Sequence, residues 1–225
     1  MNITHAVSEK VVGCKLEAIF NRQKELMAKY HDIEMKSGLM QTEDCPVNLH
    51  DKRGQARLKD FAWRFTEELA EAFDSKFKTL DGDEHFQEEL IDSLHFLTEL
   101  TILSGLEPSD LLNCDTEGKD KLDLLFHIGT DISELRSFTS SNAEAIKPLA
   151  TEIIMELGMA CNCLKNKPWK QSHMLTDERA FKCRIVGTWH KFIALLHTVG
   201  LSPQSTCDIY LKKSQVNKFR QRSNY

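Results

Sequence analysis

The sequence predicts an all-α protein, a bundle of helices. Apolar side chains recur at i, i+3 and i+4 in one long segment after another, which is the spacing of a core-facing helical stripe. These segments are punctuated by Gly, Pro, Ser and Asn clusters that serve as caps and loops. An alternating apolar–polar pattern of the kind a half-buried strand needs is almost wholly missing.

The first element is expected over residues 8–31, where Val12, Leu16, Ile19, Phe20, Leu26, Met27 and Tyr30 form the stripe and Gln23 interrupts it. An amide inside such a stripe must find partners. It can both donate and accept, as a nucleobase edge requires, or it can simply satisfy a helix–helix contact. Residues 36–54 carry Gly, Pro, Asp and Asn without periodicity and read as a loop. A second helix is expected from about Gln55 to Lys76 and a third from Asp83 or Glu84 to Ser104, with Gly105 as its C′ residue. Leu106-x-Pro108-Ser109 opens another helix, with Pro108 in or near its first turn and Ser109 as an alternative cap. The stripe Leu122, Leu125, Phe126, Ile132, Leu135 places a fourth helix over about 118–138. Ser140, Ser141 and Asn142 cap a fifth over about 143–164, and a further helix is expected over 177–199. LTILSGLEPSDLL (100–112) and LLHTVGLSPQSTC (195–207) share a helix–Gly–Leu–x–Pro junction, so residues 113–194 read as a helical insertion or the match as coincidental punctuation.

Composition narrows the function. The 225 residues are 28 % charged and 41 % hydrophobic, ordinary values for a globular chain, and long enough to bury a substantial core. Net charge is 29 − 34 = −5, which gives no general attraction to nucleic acid or an anionic membrane. No stretch approaches the ~18 apolar residues of a membrane span, and the N-terminus has no signal-like apolar region. Seven cysteines without a C-x-x-C pair read as reduced thiols. The expectation is a soluble, intracellular, cytoplasmic protein.

Chemistry concentrates between Arg64 and His95. Glu67, Glu68 and Glu71 precede Glu89 and Asp92 by one hairpin, with 17 residues between Glu71 and Glu89. Residues three or four apart share a helix face, so Glu68 projects with Glu71, and Glu89 with Asp92. Phe65, Leu69, Ala72, Phe73, Leu90, Ile91, Leu94 and Leu97 surround them. Like charges set in apolar stripes are costly unless paired or bound to metal. Four hard oxygen ligands brought together by the Asp81-Gly82 turn suit Mg²⁺ or Mn²⁺ and a phosphate substrate. His95, three residues beyond Asp92, is either an orienting partner of that ligand or a packed core histidine. At the other end of the chain Lys213, Asn217 and Arg220 share one helical face. They are able to grip a polyphosphate, or to form a solvated basic tail.

Together these pieces resemble the dimeric all-α dUTPases and related phage dCTPase–dUTPases of the MazG-like NTP pyrophosphatase superfamily. EELAE (67–71) and ELIDSLHF (89–96) are similar to its EExxE…ExxD motif, and YLKKSQVNKFRQRSNY (210–225) to its Y-x-x-K-x-x-x-N-x-x-R-Q…G-Y ending. The matches cover about a third of the chain. Three departures stand out: Met27 where Asn or Asp is frequent, Lys76-Phe77-Lys78 where a Trp-rich run is frequent, and Asn224-Tyr225 for Gly-Tyr. The resemblance implies an all-α NTP pyrophosphatase fold, a homodimer, and Mg²⁺-dependent hydrolysis of dUTP, with dCTP beside it, to monophosphate and pyrophosphate. A phage-encoded member would work in the host cytoplasm. The resemblance further implies metal ligation by Glu68, Glu71, Glu89 and Asp92, with Glu67 orienting or deprotonating the water or making an additional metal contact. It implies base reading by Gln23, and phosphate binding by Lys213, Asn217 and Arg220 with Tyr225 closing the site. Two other readings stand beside it: a house-cleaning NTP pyrophosphatase of different specificity, and a non-catalytic helical interaction protein.

Overall fold

The computed structural model describes residues 6–76, 82–114, 116–137, 142–165, 167, 169–172 and 174–222, and among them there are helices and no strands. The order is α1 (Lys15–Ser37), α2 (Lys52–Lys76), α3 (Gly82–Leu103), a 3₁₀ turn (Pro108–Leu111), α4 (Lys121–Ser137), α5 (Asn142–Cys163), α6 (Glu178–Thr198) and α7 (Pro203–Arg222). One continuous apolar cluster takes in side chains from all seven α-helices.

The terminal signals act as their chemistry dictates. Gly105 sits at φ 72° just past α3. Its N–H donates to Ile102 O and the Leu106 N–H to Thr101 O, the paired closure that left-handed glycine permits. Gly38, at φ 69°, ends α1 and donates to Met35 O. Asp177 caps α6 by accepting from the Ala180 N–H.

Three expectations need correction. Helix α1 begins at Lys15 rather than near residue 8, because Gly13 at φ 99° breaks the backbone ahead of it, and Val12 is 93 % exposed instead of joining the stripe. Pro108 opens only a 3₁₀ turn, closed when Asp110 Oδ2 accepts from the Glu107 N–H, after which Leu112 is extended. Leu135 is 72 % exposed, so the buried face of α4 comes from Leu122, Leu125 and Phe126.

The most extensive helix pair is α2 with α3. Phe73 meets Phe86 edge-on at 5.4 Å, whereas Phe61 meets Phe96 at 6.3 Å, so the two helices run antiparallel. Helix α7 returns against α1 and α3, and α6 packs on α4 and α5. Trp189 on α6 is fully buried, stacks on Phe20 at 6.0 Å, and donates its indole N–H to Thr101 Oγ1 at 2.7 Å. That bond satisfies the one polar atom of the largest core side chain.

Helices α4 and α6 approach closely at Gly129, where an added Cβ would lie 2.9 Å from Ile193 Cγ2 and 3.0 Å from Ala194 N. Gly129→Val should overpack this contact and cost about 1–3 kcal/mol. The urea unfolding midpoint measures it, and an unchanged midpoint would mean the helices separate without penalty.

Candidate active site

The α2–α3 pair concentrates carboxylates. Glu68, Glu89 and Asp92 each offer an oxygen within 4.8 Å of the others. Glu89 is buried and the other two half-buried. Antiparallel packing brings Glu68 on α2 opposite Glu89 and Asp92, which share one face of α3. Glu71, one turn further along α2, is exposed and lies outside the tight group, but its charge acts on all three.

The electrostatic consequences follow from crowding. Burial, then the charges of Asp92, Glu71 and Glu89, push the Glu68 carboxyl up to about 7. Burial also raises Glu89 and Asp92, against the opposing pull of Lys213. Lys213 on α7 sits 2.6 Å from Asp92 Oδ2 and 3.8 Å from Glu88 Oε2. One ammonium thus faces a cluster that carries more negative charge than it can neutralise. Such an array of hard oxygens is a fitting cage for a divalent cation.

Beside the cluster opens a cleft of about 280 Å³. Its described walls come from α1 (Gln23, Leu26, Tyr30, Glu34), α2 (Arg64, Glu68), α3 (Asp92, His95, Phe96, Glu99) and α7 (Asn217, Arg220), and none of these residues belongs to α4, α5 or α6. The cleft therefore joins the acidic motifs to the polar face of the last helix.

Its inner end is a buried hydrogen-bond chain. Gln23 Oε1 accepts from the Tyr210 hydroxyl at 2.6 Å and from His95 Nδ1 at 3.0 Å. Gln23 Nε2 donates to Glu99 Oε2 at 2.8 Å. This fixes the amide orientation and puts the His95 proton on Nδ1. His95 stacks on Tyr210 with ring centroids 3.8 Å apart. Burial, with Lys213 nearby, lowers its pKa to about 3, so the ring is neutral. His95 thus serves Gln23 through Nδ1 rather than orienting Asp92 through that atom. Burial and then the Glu34 charge push Glu99 up to about 7, against the Gln23 bond and the Arg57 and Arg64 charges.

The anticipated residues divide as follows. Glu68, Glu89, Asp92 and Lys213 lie together, and Asn217, Arg220 and Gln23 line the adjoining cleft. Glu67 is exposed and outside the cleft lining, with its Oε1 accepting from the Trp63 indole N–H at 2.8 Å. Tyr225 falls outside the described residues. Glu99, Glu34 and Arg64 were not anticipated. Glu99 carried a readable signal, since it follows Asp92 by seven residues, two turns along the same face of α3.

A family model described as dUTPase matches residues 15–225. No curated protein and no solved structure matches the chain.

The raised Glu68 carboxyl yields a stability test. Between about pH 4.5 and about 7 the native state holds a proton that the unfolded chain has released, so this group destabilises the fold increasingly across that window and constantly above it. In chelator, Glu68→Gln should therefore raise the melting temperature at pH 8 and change it much less at pH 5.5. Calorimetry at both pH values reads this, and a variant less stable at pH 8 would contradict it.

Proposed function

Because the chain belongs to the dUTPase family, we propose that it is a divalent-metal-dependent diphosphohydrolase. It cleaves a deoxynucleoside triphosphate, dUTP first and dCTP beside it, to the monophosphate and pyrophosphate. The observation that carries this reading is one cleft lined by both an acidic α2–α3 cluster and the Asn217–Arg220 face of α7. A solvated acidic face or a free basic tail would not converge in this way.

We assign Glu68, Glu89 and Asp92 to hold Mg²⁺, with Mn²⁺ as a substitute and Glu71 completing the set. When bound, the cation neutralises phosphate charge and makes a water more acidic. The protein's own groups do the rest. Lys213, 2.6 Å from Asp92 Oδ2, turns to the incoming phosphates, which present more negative charge than one carboxylate. Arg220 grips a phosphate bidentately and Asn217 donates to it, with Tyr225 covering the chain. Leu26, Tyr30 and Phe96 receive the base and exclude water, and the Gln23 chain closes the inner wall. Glu67 is assigned to orient or deprotonate the attacking water, for which its carboxylate must leave the Trp63 indole. The working core is α1, α2, α3 and α7, with α4 to α6 as a helical insertion supporting them. The enzyme works as a homodimer in the cytoplasm, and no described helix is long and apolar enough to cross a membrane.

Pyrophosphate release across all dNTPs tests the reading. Turnover should require Mg²⁺ or Mn²⁺, vanish in chelator, and vanish in Asp92→Asn while helical content is kept. A fully active Asp92→Asn protein would contradict the metal assignment. Arg220→Ala should raise KM for the triphosphate at least tenfold, since a charge-assisted bond contributes about 1.5–3 kcal/mol. It should leave deoxynucleoside affinity unchanged.

A further inference from the structure

The cleft holds a buried carboxyl that the phosphate chemistry does not use. Glu99 is 8 % exposed, lies two turns along α3 from Asp92 at the edge of the cleft, and among the described residues accepts one hydrogen bond, from Gln23 Nε2. Gln23 Oε1 is already engaged by Tyr210 and His95, so the glutamine oxygen is committed within the protein. A carboxyl has lone pairs beyond the one Gln23 occupies. Glu99 follows Asp92 by two helical turns on the same face, about 10 Å along the axis, which is the scale of a nucleoside. With the phosphates at Asp92, Asn217 and Arg220, a pyrimidine enters the inner end base first. Its 4-position, opposite the glycosidic nitrogen, then reaches deepest.

Building on the nucleotide hydrolysis proposed above, we propose that Glu99 is the residue that tells pyrimidines apart at the 4-position. As a carboxylate it accepts from the 4-amino group of cytosine, and as the acid it donates to the 4-oxo group of uracil. Cytosine presents a donor at that corner, whereas uracil presents an acceptor with a donor at the adjacent ring nitrogen. A carboxylate therefore repels the uracil 4-oxo group. Gln23 Nε2 occupies Oε2, so Oε1 is the oxygen left for the 4-position; once protonated it donates to the 4-oxo oxygen of uracil and offers the 4-amino group of cytosine only a poor acceptor.

The surroundings let both forms exist near neutrality. Glu34 on α1 disfavours the anion, while Arg57 and Arg64 on α2 favour it. Arg64 donates to Glu34 Oε1 at 3.2 Å and Arg57 Nη2 to Glu34 Oε2 at 3.4 Å, so part of that positive charge is spent on Glu34. Tyr210 on α7 and Cys45 in the loop before α2 also face the carboxyl, and both are neutral because burial raises their pKa values. On α3 itself, His95 is neutral as well.

The test is kcat/KM for dCTP and dUTP, measured in Mg²⁺ from pH 6 to 8 on the wild-type protein and on Glu99→Gln. Titration of the phosphates and of the acidic cluster affects both substrates alike and cancels in the ratio of the two values. In the wild type that ratio should rise about tenfold per pH unit, as the ratio of carboxylate to acid does. In Glu99→Gln, whose amide does not titrate and offers both a donor and an acceptor, it should be flat. A flat wild-type ratio overturns the assignment without any variant, and so does a slope that survives in Glu99→Gln. A protein that turns over dNTPs with a flat ratio contradicts Glu99 alone. One that turns over no dNTP contradicts the hydrolytic function too.

Discussion

The structure depends on holding three carboxylates within 4.8 Å of one another beside the Lys213 ammonium. Burial first, and then the like charges of their neighbours, raise the Glu68, Glu89 and Asp92 carboxyls, so holding them together opposes folding. It is tolerated because the α2–α3 pair is locked by apolar contacts on either side, Phe73 on Phe86 and Phe61 on Phe96. Helix α7 is then drawn to the cluster through Lys213 and Asp92. The last helix of the chain thereby shares a cleft with motifs from its first half.

A second constraint shapes the opposite end of the cleft. Tyr210, Gln23, His95 and Glu99 form a buried chain that ties α7, α1 and α3 together through bonds of 2.6, 3.0 and 2.8 Å. Buried polar groups of this kind are costly unless satisfied, so the chain fixes the relative placement of three helices. The cleft is consequently polarised: charge meets solvent at the outer end, and a neutral histidine, a neutral tyrosine and a protonatable carboxyl line or back the inner one. Among the described residues, α4 to α6 contribute none to the cleft; they bury much of the outer core, with Trp189 bonded across to Thr101 on α3.

Much of this was legible beforehand because it is written in local periodicity. The stripes around Leu16, Phe65, Leu94 and Phe192 place four helices to within a turn at most ends, and Gly105 marks the end of α3. The pairing of Glu68 with Glu89 and Asp92 follows from spacing once the two helices are antiparallel. What was not legible depends on contacts between distant segments. Nothing local distinguishes Gln23 as a base reader from Gln23 as the acceptor for Tyr210 and His95. Nothing in YLKKSQ says that Lys213 is held by Asp92. Glu99 sat in plain view on the Asp92 face, but a single carboxylate in ELTIL looks like a solvated residue until the α1 contact closes over it. Val12 and Leu135 misled for the opposite reason, since they complete an apolar stripe whose end has no partner to cover it.

The central claim is that Glu68, Glu89 and Asp92 hold a divalent cation and that Lys213, beside Asp92, serves the phosphates of the substrate. Crystals soaked with Mn²⁺ and a non-hydrolysable dUTP analogue test it directly through anomalous scattering. The account predicts a manganese peak among Glu68, Glu89 and Asp92, with the Lys213 ammonium moved from Asp92 to the phosphates. An unbroken Lys213–Asp92 pair with no manganese peak between the carboxylates would contradict it.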